Sequence, residues 1–254
     1  MHALIIFLTT KEQRNKVMAG FLYEVFLCSF VTLLFNFCKT DDMKPLADCR
    51  LYAFIDTAFF HGRAPEVFAQ QLCDGGADLI QLRAKKSKPD EIRRMAEAIL
   101  PVTRRAHVGL VINDHLEIAR ETGAELCHLG QEDFFDAGHK HTSELRTPNS
   151  ELRIGLSTHS PEQAKRALAA GPDYIAIGPV YATGTKPGAK PVTLEYVRWA
   201  AENVNIPWFA IGGINLRTLD DVLAAGAKRV CVVSAILNAT DVTKACLEFR
   251  HRLG

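Results

Sequence analysis

From Leu51 onward, short runs rich in β-branched and aromatic residues alternate with stretches whose apolar positions recur every three or four residues. The runs predict strands at Leu51–Ile55, Leu79–Arg83, Gly109–Asn113, Leu126–Leu129, Arg153–Ser157, Tyr174–Gly178, Pro207–Ile211 and Val230–Val233. The periodic stretches predict helices near Pro65–Cys73, Pro89–Arg105, Leu116–Thr122, Pro161–Ala170, Leu194–Asn203, Leu216–Ala225 and Val242–Arg252. Glycines punctuate the helix ends in GGAD at 75–78, TGAE at 122–125, AGPD at 170–173 and AGAK at 225–228, where the chain turns toward the next strand. Eight strands with intervening helices predict a (β/α)8 barrel, with the doubly wound open sheet as the alternative. Residues 134–151 break the rhythm where the fourth helix belongs. His139 and His141 in that stretch read as solvated loop residues.

The first 42 residues follow another pattern. They hold six of the chain's 14 Phe, one of its 17 Gly and none of its 11 Pro. An 18-residue apolar run, Phe21 to Cys38, follows Lys11, Arg14 and Lys16 but contains Glu24, Ser29, Thr32 and Asn36. It lacks a small-residue cleavage site and lies near the lower length limit for crossing a bilayer. Three readings stand: translation starting at Met43, a membrane or targeting segment, and an extra packed helix. The expected organisation is therefore an N-terminal extension over 1–42 and a barrel domain over 43–254.

Composition narrows the class of partner. Of 254 residues, 48% are hydrophobic and 23% charged, and the formal charge is +1. That balance disfavours a nucleic-acid surface and a polybasic membrane patch. Seven cysteines at positions 28, 38, 49, 73, 127, 231 and 246 show neither C-x-x-C nor metal-finger spacing. They read as reduced, mostly buried thiols of a cytoplasmic protein.

Polar residues gather at the strand ends, where barrels of this kind build their active sites. Alternation places Gln81, Arg83 and Lys85 on one side of the second strand. Asp114 after the third strand and Asp133 after the fourth stand where two carboxylates could share Mg²⁺ with substrate oxygens. Ser157 ends the fifth strand. The segment Tyr181 to Gly188 supplies hydroxyls and Lys186, as a loop closing over a polyanion would. Gly212-Gly213 and Val233-Ser234 follow the seventh and eighth strands, a common location for a phosphate cradle. Each feature alone has a plain alternative: Asn-Asp is a common turn, and Gly-Gln-Glu-Asp at 130–133 reads equally as a helix start. His159 is the one candidate proton shuttle and reads better as a residue supporting the site from behind or as a helix-start residue.

Seven ordered motifs carry a resemblance: QLRAK at 81–85, IND at 112–114, HLGQED at 128–133, GLSTHS at 155–160, GPVYATGTK at 178–186, AIGGI at 210–214 and VVSAI at 232–236. Over Leu51 to Ile236 the chain resembles the thiamine phosphate synthase family. The resemblance implies a TIM barrel that joins hydroxymethylpyrimidine diphosphate to thiazole monophosphate, giving thiamine phosphate and diphosphate. It implies that Gln81, Leu82, Arg83, Ala84, Lys85, Asn113, Ser157 and Lys186 hold the pyrimidine diphosphate, with Arg83, Lys85 and Lys186 stabilising the leaving group. It implies Mg²⁺ on Asp114 and Asp133, and the thiazole phosphate on Thr183, Gly184, Thr185, Gly213, Val233 and Ser234. The implied mechanism ionises the C–O bond to diphosphate before the thiazole nitrogen attacks. Three departures stand out: Ala84 in place of a larger or acidic residue, a YAFID ending on the first strand, and the long 134–151 segment. A thiazole tautomerase on the same barrel and a non-catalytic thiamine-phosphate sensor are the competing readings. Oligomeric state is not readable from the sequence.

Overall fold

A computed structural model of the chain describes residues 43–147, 150–183 and 191–254. The three readings of residues 1–42 lie outside that range. Within it, eight parallel strands pair in chain order and the eighth closes on the first: β1 (Leu51–Asp56), β2 (Leu79–Arg83), β3 (Gly109–Asn113), β4 (Leu126–Gly130), β5 (Arg153–Thr158), β6 (Tyr174–Ile177), β7 (Trp208–Ile211) and β8 (Val230–Val232). The chain forms a closed (β/α)8 barrel, as the alternating pattern predicts, and the open doubly wound sheet is excluded. Each strand lies within one residue of its predicted bounds.

The crossovers carry α1 (Pro65–Asp74), α2 (Pro89–Arg105), α3 (Leu116–Thr122), α4 (Gln131–Asp136), α5 (Pro161–Ala169), α6 (Thr193–Asn203), α7 (Leu219–Ala224), α8 (Ser234–Leu237) and α9 (Val242–Leu253). Helices α1, α2 and α5 open on a proline at the first helical position, where its missing N–H has no intrahelical partner to lose. Helix α2 adds Asp90 and Glu91 in its first turn and Arg104 and Arg105 in its last, each complementing the helix dipole. Of the ragged stretch 134–151, the described residues include the end of α4 and a 3₁₀ turn, Thr142–Leu145. Gly130-Gln131-Glu132-Asp133 is thus a helix start. His139 lies 3.3 Å from Glu144, and His141 caps the 3₁₀ turn through Ser143.

The period of two sorts each strand's side chains. Leu51, Ala53, Ile55, Ile80 and Leu82 are buried toward the helices. Tyr52, Gln81, His128, Tyr174 and Phe209 fill the barrel interior, where Tyr52, Tyr174 and Phe209 meet edge-to-face at centroid distances of 5.3–6.1 Å. Glycine at 155 makes this packing possible, because a Cβ there would lie 2.1 Å from Cζ of Tyr174. At the opposite, N-terminal end, the buried Asp78 carboxylate accepts the N–H groups of Arg50 (2.6 Å) and Leu51 (3.0 Å). The same carboxylate pairs with Lys44 and Arg250, tying α9 and the start of β1 to β2. Among the described residues no helix is long and apolar enough to cross a membrane.

Candidate active site

The C-terminal ends of the strands surround a cavity of about 310 Å³. Its lining includes Gln81, Arg83, Lys85, Asn113, Asp114, Asp133, Ser157, Thr183, Gly213, Val233 and Ser234, all expected from the sequence. Leu82 and Ala84, expected with Gln81, Arg83 and Lys85 to hold the pyrimidine diphosphate, have buried side chains that do not line the cavity. This follows from strand alternation, which admits only every second side chain to the interior. Gly184, Thr185 and Lys186 lie outside the described residues.

Each cation at the end of β2 is held by a carboxylate. Arg83 Nη1 lies 2.6 Å from Asp56 Oδ2, and Lys85 Nζ pairs with Asp114 Oδ2. The first pair follows from register, since Asp56 on β1 stands opposite Arg83 on β2. Asp56 is 2% exposed and also caps the 3₁₀ turn Thr57–Phe59, its Oδ1 accepting the Ala58 N–H. Asn113 Nδ2 donates to Asp114 Oδ2 at 2.6 Å. Asp114 itself has φ 64°, in the left-handed region that Asp and Asn tolerate better than other side chains. Residues held there cluster at functional sites.

Asp133 reaches the same cavity from the first turn of α4. A Cβ at Gly130 would come within 2.7 Å of Asp133 Oδ2, so glycine leaves the carboxylate room beside the strand end. Asp114 and Asp133 offer hard oxygen donors from adjacent strand ends. Two carboxylates with substrate phosphates completing the shell is a common Mg²⁺ arrangement, so the donor set fits that ion. Among the described residues there is no cluster of three or more His, Cys, Asp or Glu side chains suited to a metal.

Across the barrel, the segments after β6 and β7 are stitched together by backbone hydrogen bonds, Val180 N–H to Ile211 O (2.8 Å) and Tyr181 N–H to Gly212 O (3.0 Å). Gly213, Val233 and Ser234 line this wall, with the short helix α8 starting at Ser234. His159 also lines the cavity, its Nδ1 donating to the Gly178 carbonyl and its backbone N–H to Gln163 Oε1 (2.7 Å). It therefore sits as a helix-start residue docked on the β6 segment.

On the floor, Gln81 joins Tyr52, Tyr174 and His128, three residues with no role expected from the sequence. Gln81 Nε2 donates to the Tyr52 hydroxyl, Tyr52 and Tyr174 share a hydrogen bond of 3.1 Å, and the Tyr174 hydroxyl lies 3.0 Å from His128 Nδ1. Burial lowers the His128 pKa to about 4 and raises those of Tyr52 and Tyr174 well above the usual phenol value, so all three are neutral at pH 7. Phe54 stacks on Tyr52 at 5.5 Å, and Cys231 completes the floor. The five described cysteines are free thiols, four of them buried. Tyr52 and His128 could have been found by extending the alternation rule from Gln81 to the neighbouring strands.

The family model for thiamine monophosphate synthase matches residues 51–236. A thiamine-phosphate synthase of Thermus thermophilus is 45% identical over 185 residues, covering 70% of this chain and 84% of that protein. One from Halalkalibacterium halodurans is 37% identical over 213 residues, covering 80% of this chain and 95% of that protein. The solved thiamine phosphate pyrophosphorylase of Pyrococcus furiosus superposes with a TM-score of 0.70 at 28% identity, covering 83% of this chain and 98% of that one. By the reach of the family match and its identity to these enzymes, the chain belongs to the thiamine monophosphate synthase family.

Proposed function

We propose that the cavity joins 4-amino-2-methyl-5-hydroxymethylpyrimidine diphosphate to 4-methyl-5-(2-phosphoethyl)thiazole, giving thiamine phosphate and diphosphate. The observation that supports this reading is one cavity with charged side chains on one wall and small residues with backbone groups on the opposite wall. Arg83, Lys85, Asp114 and Asp133 cluster around β2–β4, and Gly213, Val233 and Ser234 around β7 and β8. Two phosphorylated substrates need two such walls. The interior between them is uncharged and aromatic, which suits two heteroaromatic rings.

On this reading the ring of the pyrimidine lies toward Gln81, with its diphosphate toward Arg83 and Lys85. Asp114 and Asp133 would hold Mg²⁺, which when bound supplies Lewis-acid stabilisation of the departing diphosphate. Arg83 and Lys85 add fixed positive charge where negative charge develops, and Lys186 is assigned with them from the motif. Asp56 keeps the Arg83 guanidinium at the rim before substrate arrives. The electron-rich aminopyrimidine stabilises the methylene cation left by C–O ionisation. The thiazole, anchored through its phosphate by Gly213, Val233, Ser234, Thr183, Gly184 and Thr185, presents its nitrogen to that cation. No side chain needs to act as a nucleophile.

The test is diphosphate release from the purified chain with both substrates and Mg²⁺. Release is expected only when both substrates are present, and to fall to background in Asp114→Ala and Arg83→Ala. A barrel that only isomerises a thiazole phosphate releases no diphosphate. Wild-type turnover in both variants overturns the site assignment.

A further inference from the structure

The chain of hydrogen bonds on the cavity floor has a direction. It comprises three bonds, Gln81–Tyr52, Tyr52–Tyr174 and Tyr174–His128. The two hydroxyls between the ends hold one proton each, so they can fill only two of the three bonds. One end must supply the third proton. In the structure that end is Gln81, whose Nε2 donates to the Tyr52 oxygen. Tyr52 must then pass its own proton to Tyr174, and Tyr174 must pass its proton to His128 Nδ1. That leaves Nδ1 as an acceptor and puts the imidazole proton on Nε2.

All four side chains are buried, with Tyr174 fully enclosed, so solvent offers the chain little alternative partnering. The rings are fixed as well: His128 stacks on Tyr174 at 5.6 Å, and Phe209 meets both tyrosines edge-on. Gln81 lines the cavity as well as touching Tyr52. One N–H of the Gln81 amide is committed to Tyr52, which turns the carbonyl oxygen to the other branch of the amide, where it can accept from an occupant.

We propose that Tyr52, Tyr174 and His128 are positioning residues that lock the Gln81 amide with its carbonyl oxygen toward the cavity, so that the site selects a ring carrying an N–H donor at its deep end. The proposal rests on the reading of this cavity as a pyrimidine diphosphate site, and it assigns the ring's amino group to Gln81 Oε1. A site built around one fixed hydrogen-bond polarity discriminates strongly against a ligand of the opposite polarity, because the mismatch leaves buried polar groups facing each other unpaired.

Both variants release the direction of the chain, by different routes. In Tyr174→Phe the Tyr52 hydroxyl keeps only Gln81 as a partner and can either accept from its NH₂ or donate to its carbonyl. The amide then has two orientations of similar energy. In His128→Phe the Tyr174 proton loses its acceptor and can turn toward Tyr52, so the whole chain can run backward and present NH₂ to the cavity.

The experiment measures calorimetric binding of two ligands to the full chain with Mg²⁺: the aminopyrimidine diphosphate and its pyrimidinone counterpart, with oxo in place of amino. Wild type is expected to prefer the amino form. Tyr174→Phe should narrow that preference by ~10-fold, the equivalent of one hydrogen bond of ordinary strength. His128→Phe should narrow it at least as far. Equal wild-type affinity for both ligands, or an unchanged preference in both folded variants, overturns the proposal. A second readout needs no ligand: ¹⁵N NMR of His128 in the wild type should show a bare Nδ1 and a protonated Nε2, and a protonated Nδ1 sinks the idea. If wild type binds neither diphosphate, the pyrimidine reading has failed, and the NMR result still decides the direction of the chain.

Discussion

Asp56→Asn probes the link between the barrel wall and the charged rim. The carboxylate is buried and does two jobs: Oδ2 pairs with Arg83 Nη1 at 2.6 Å, and Oδ1 accepts the Ala58 N–H at 3.0 Å. Asparagine can keep the second bond through its amide oxygen but replaces the charged partner of Arg83 with a neutral one. A hydrogen bond to a charged group contributes ~1.5–3 kcal/mol, and breaking a fully buried ion pair costs ~3–5 kcal/mol. The Arg83 side chain is 21% exposed, so cavity solvent recovers part of that loss. The expected destabilisation is about 2 kcal/mol for Asp56→Asn, and about 3 kcal/mol for Asp56→Ala, which loses the turn cap as well. Urea unfolding at constant slope measures both. Steady-state kinetics should show kcat/KM for the pyrimidine diphosphate falling ~10–100-fold, the scale of misplacing a positioned group. An Asp56→Asn protein with wild-type stability and wild-type kinetics would refute the reasoning outright.

Four further outcomes follow from the geometry. Gly155→Ala places a Cβ 2.1 Å from the Tyr174 ring and should cost about 3 kcal/mol in a denaturant titration, with partial recovery when Tyr174→Leu is added. Asp78→Ala strips two backbone N–H groups and two cations of their shared acceptor, and should lower stability by about 3 kcal/mol while Mg²⁺-dependent turnover of the surviving folded protein is unchanged. Gly130→Ala should push Asp133 aside, so that diphosphate release needs several-fold more Mg²⁺ for half-maximal rate, with the circular dichroism spectrum retained. His128 has a folded pKa of about 4 against 6.5 when unfolded, so the unfolded chain binds the extra proton first as pH falls. Its contribution is fully present above pH 6.5, is lost between 6.5 and 4, and amounts to about 3 kcal/mol at 1.36 kcal/mol per pKa unit. The difference between wild type and His128→Phe in melting temperature should shrink over that window; a pH-independent difference contradicts the assignment.

The strands were legible because each is short and β-rich, and because glycine-marked turns stand before four of the eight. What alternation predicts, it predicted well: Gln81, Arg83 and Lys85 share one side of the chain end and line one cavity. The same rule turns the side chains of Leu82 and Ala84, the other residues expected from that motif, away from the cavity. Helix α4 was obscured because Gln131–Asp136 is a single turn and a half, too short for a 3.6-residue period to show. The floor was invisible for a different reason. Tyr52 and Tyr174 lie 122 residues apart and read as ordinary core aromatics, and only closure of the barrel brings their hydroxyls together. Likewise the Asp56–Arg83 pair depends on the β1–β2 register, which no local pattern states.

The barrel interior grades from neutral to charged along its axis, and this gradient orients an occupant before any specific contact is made. At the floor, a histidine is held neutral and two phenols are held protonated by burial, so nothing there attracts a charge. At the rim, Arg83 and Lys85 are each paired with a carboxylate, Asp56 and Asp114, and Asp133 adds a third carboxylate nearby. A dianionic or trianionic end group is repelled from the low-dielectric floor by desolvation alone, since burying an unpaired charge costs far more than any one hydrogen bond returns. At the rim it can displace the carboxylate partners of the two cations, or share them through a divalent ion. Pairing each cation with a carboxylate holds both cations in place at the rim, where an incoming anion could exchange with those partners. On the proposed function, an aromatic ring bearing a phosphate would enter ring down and phosphate up.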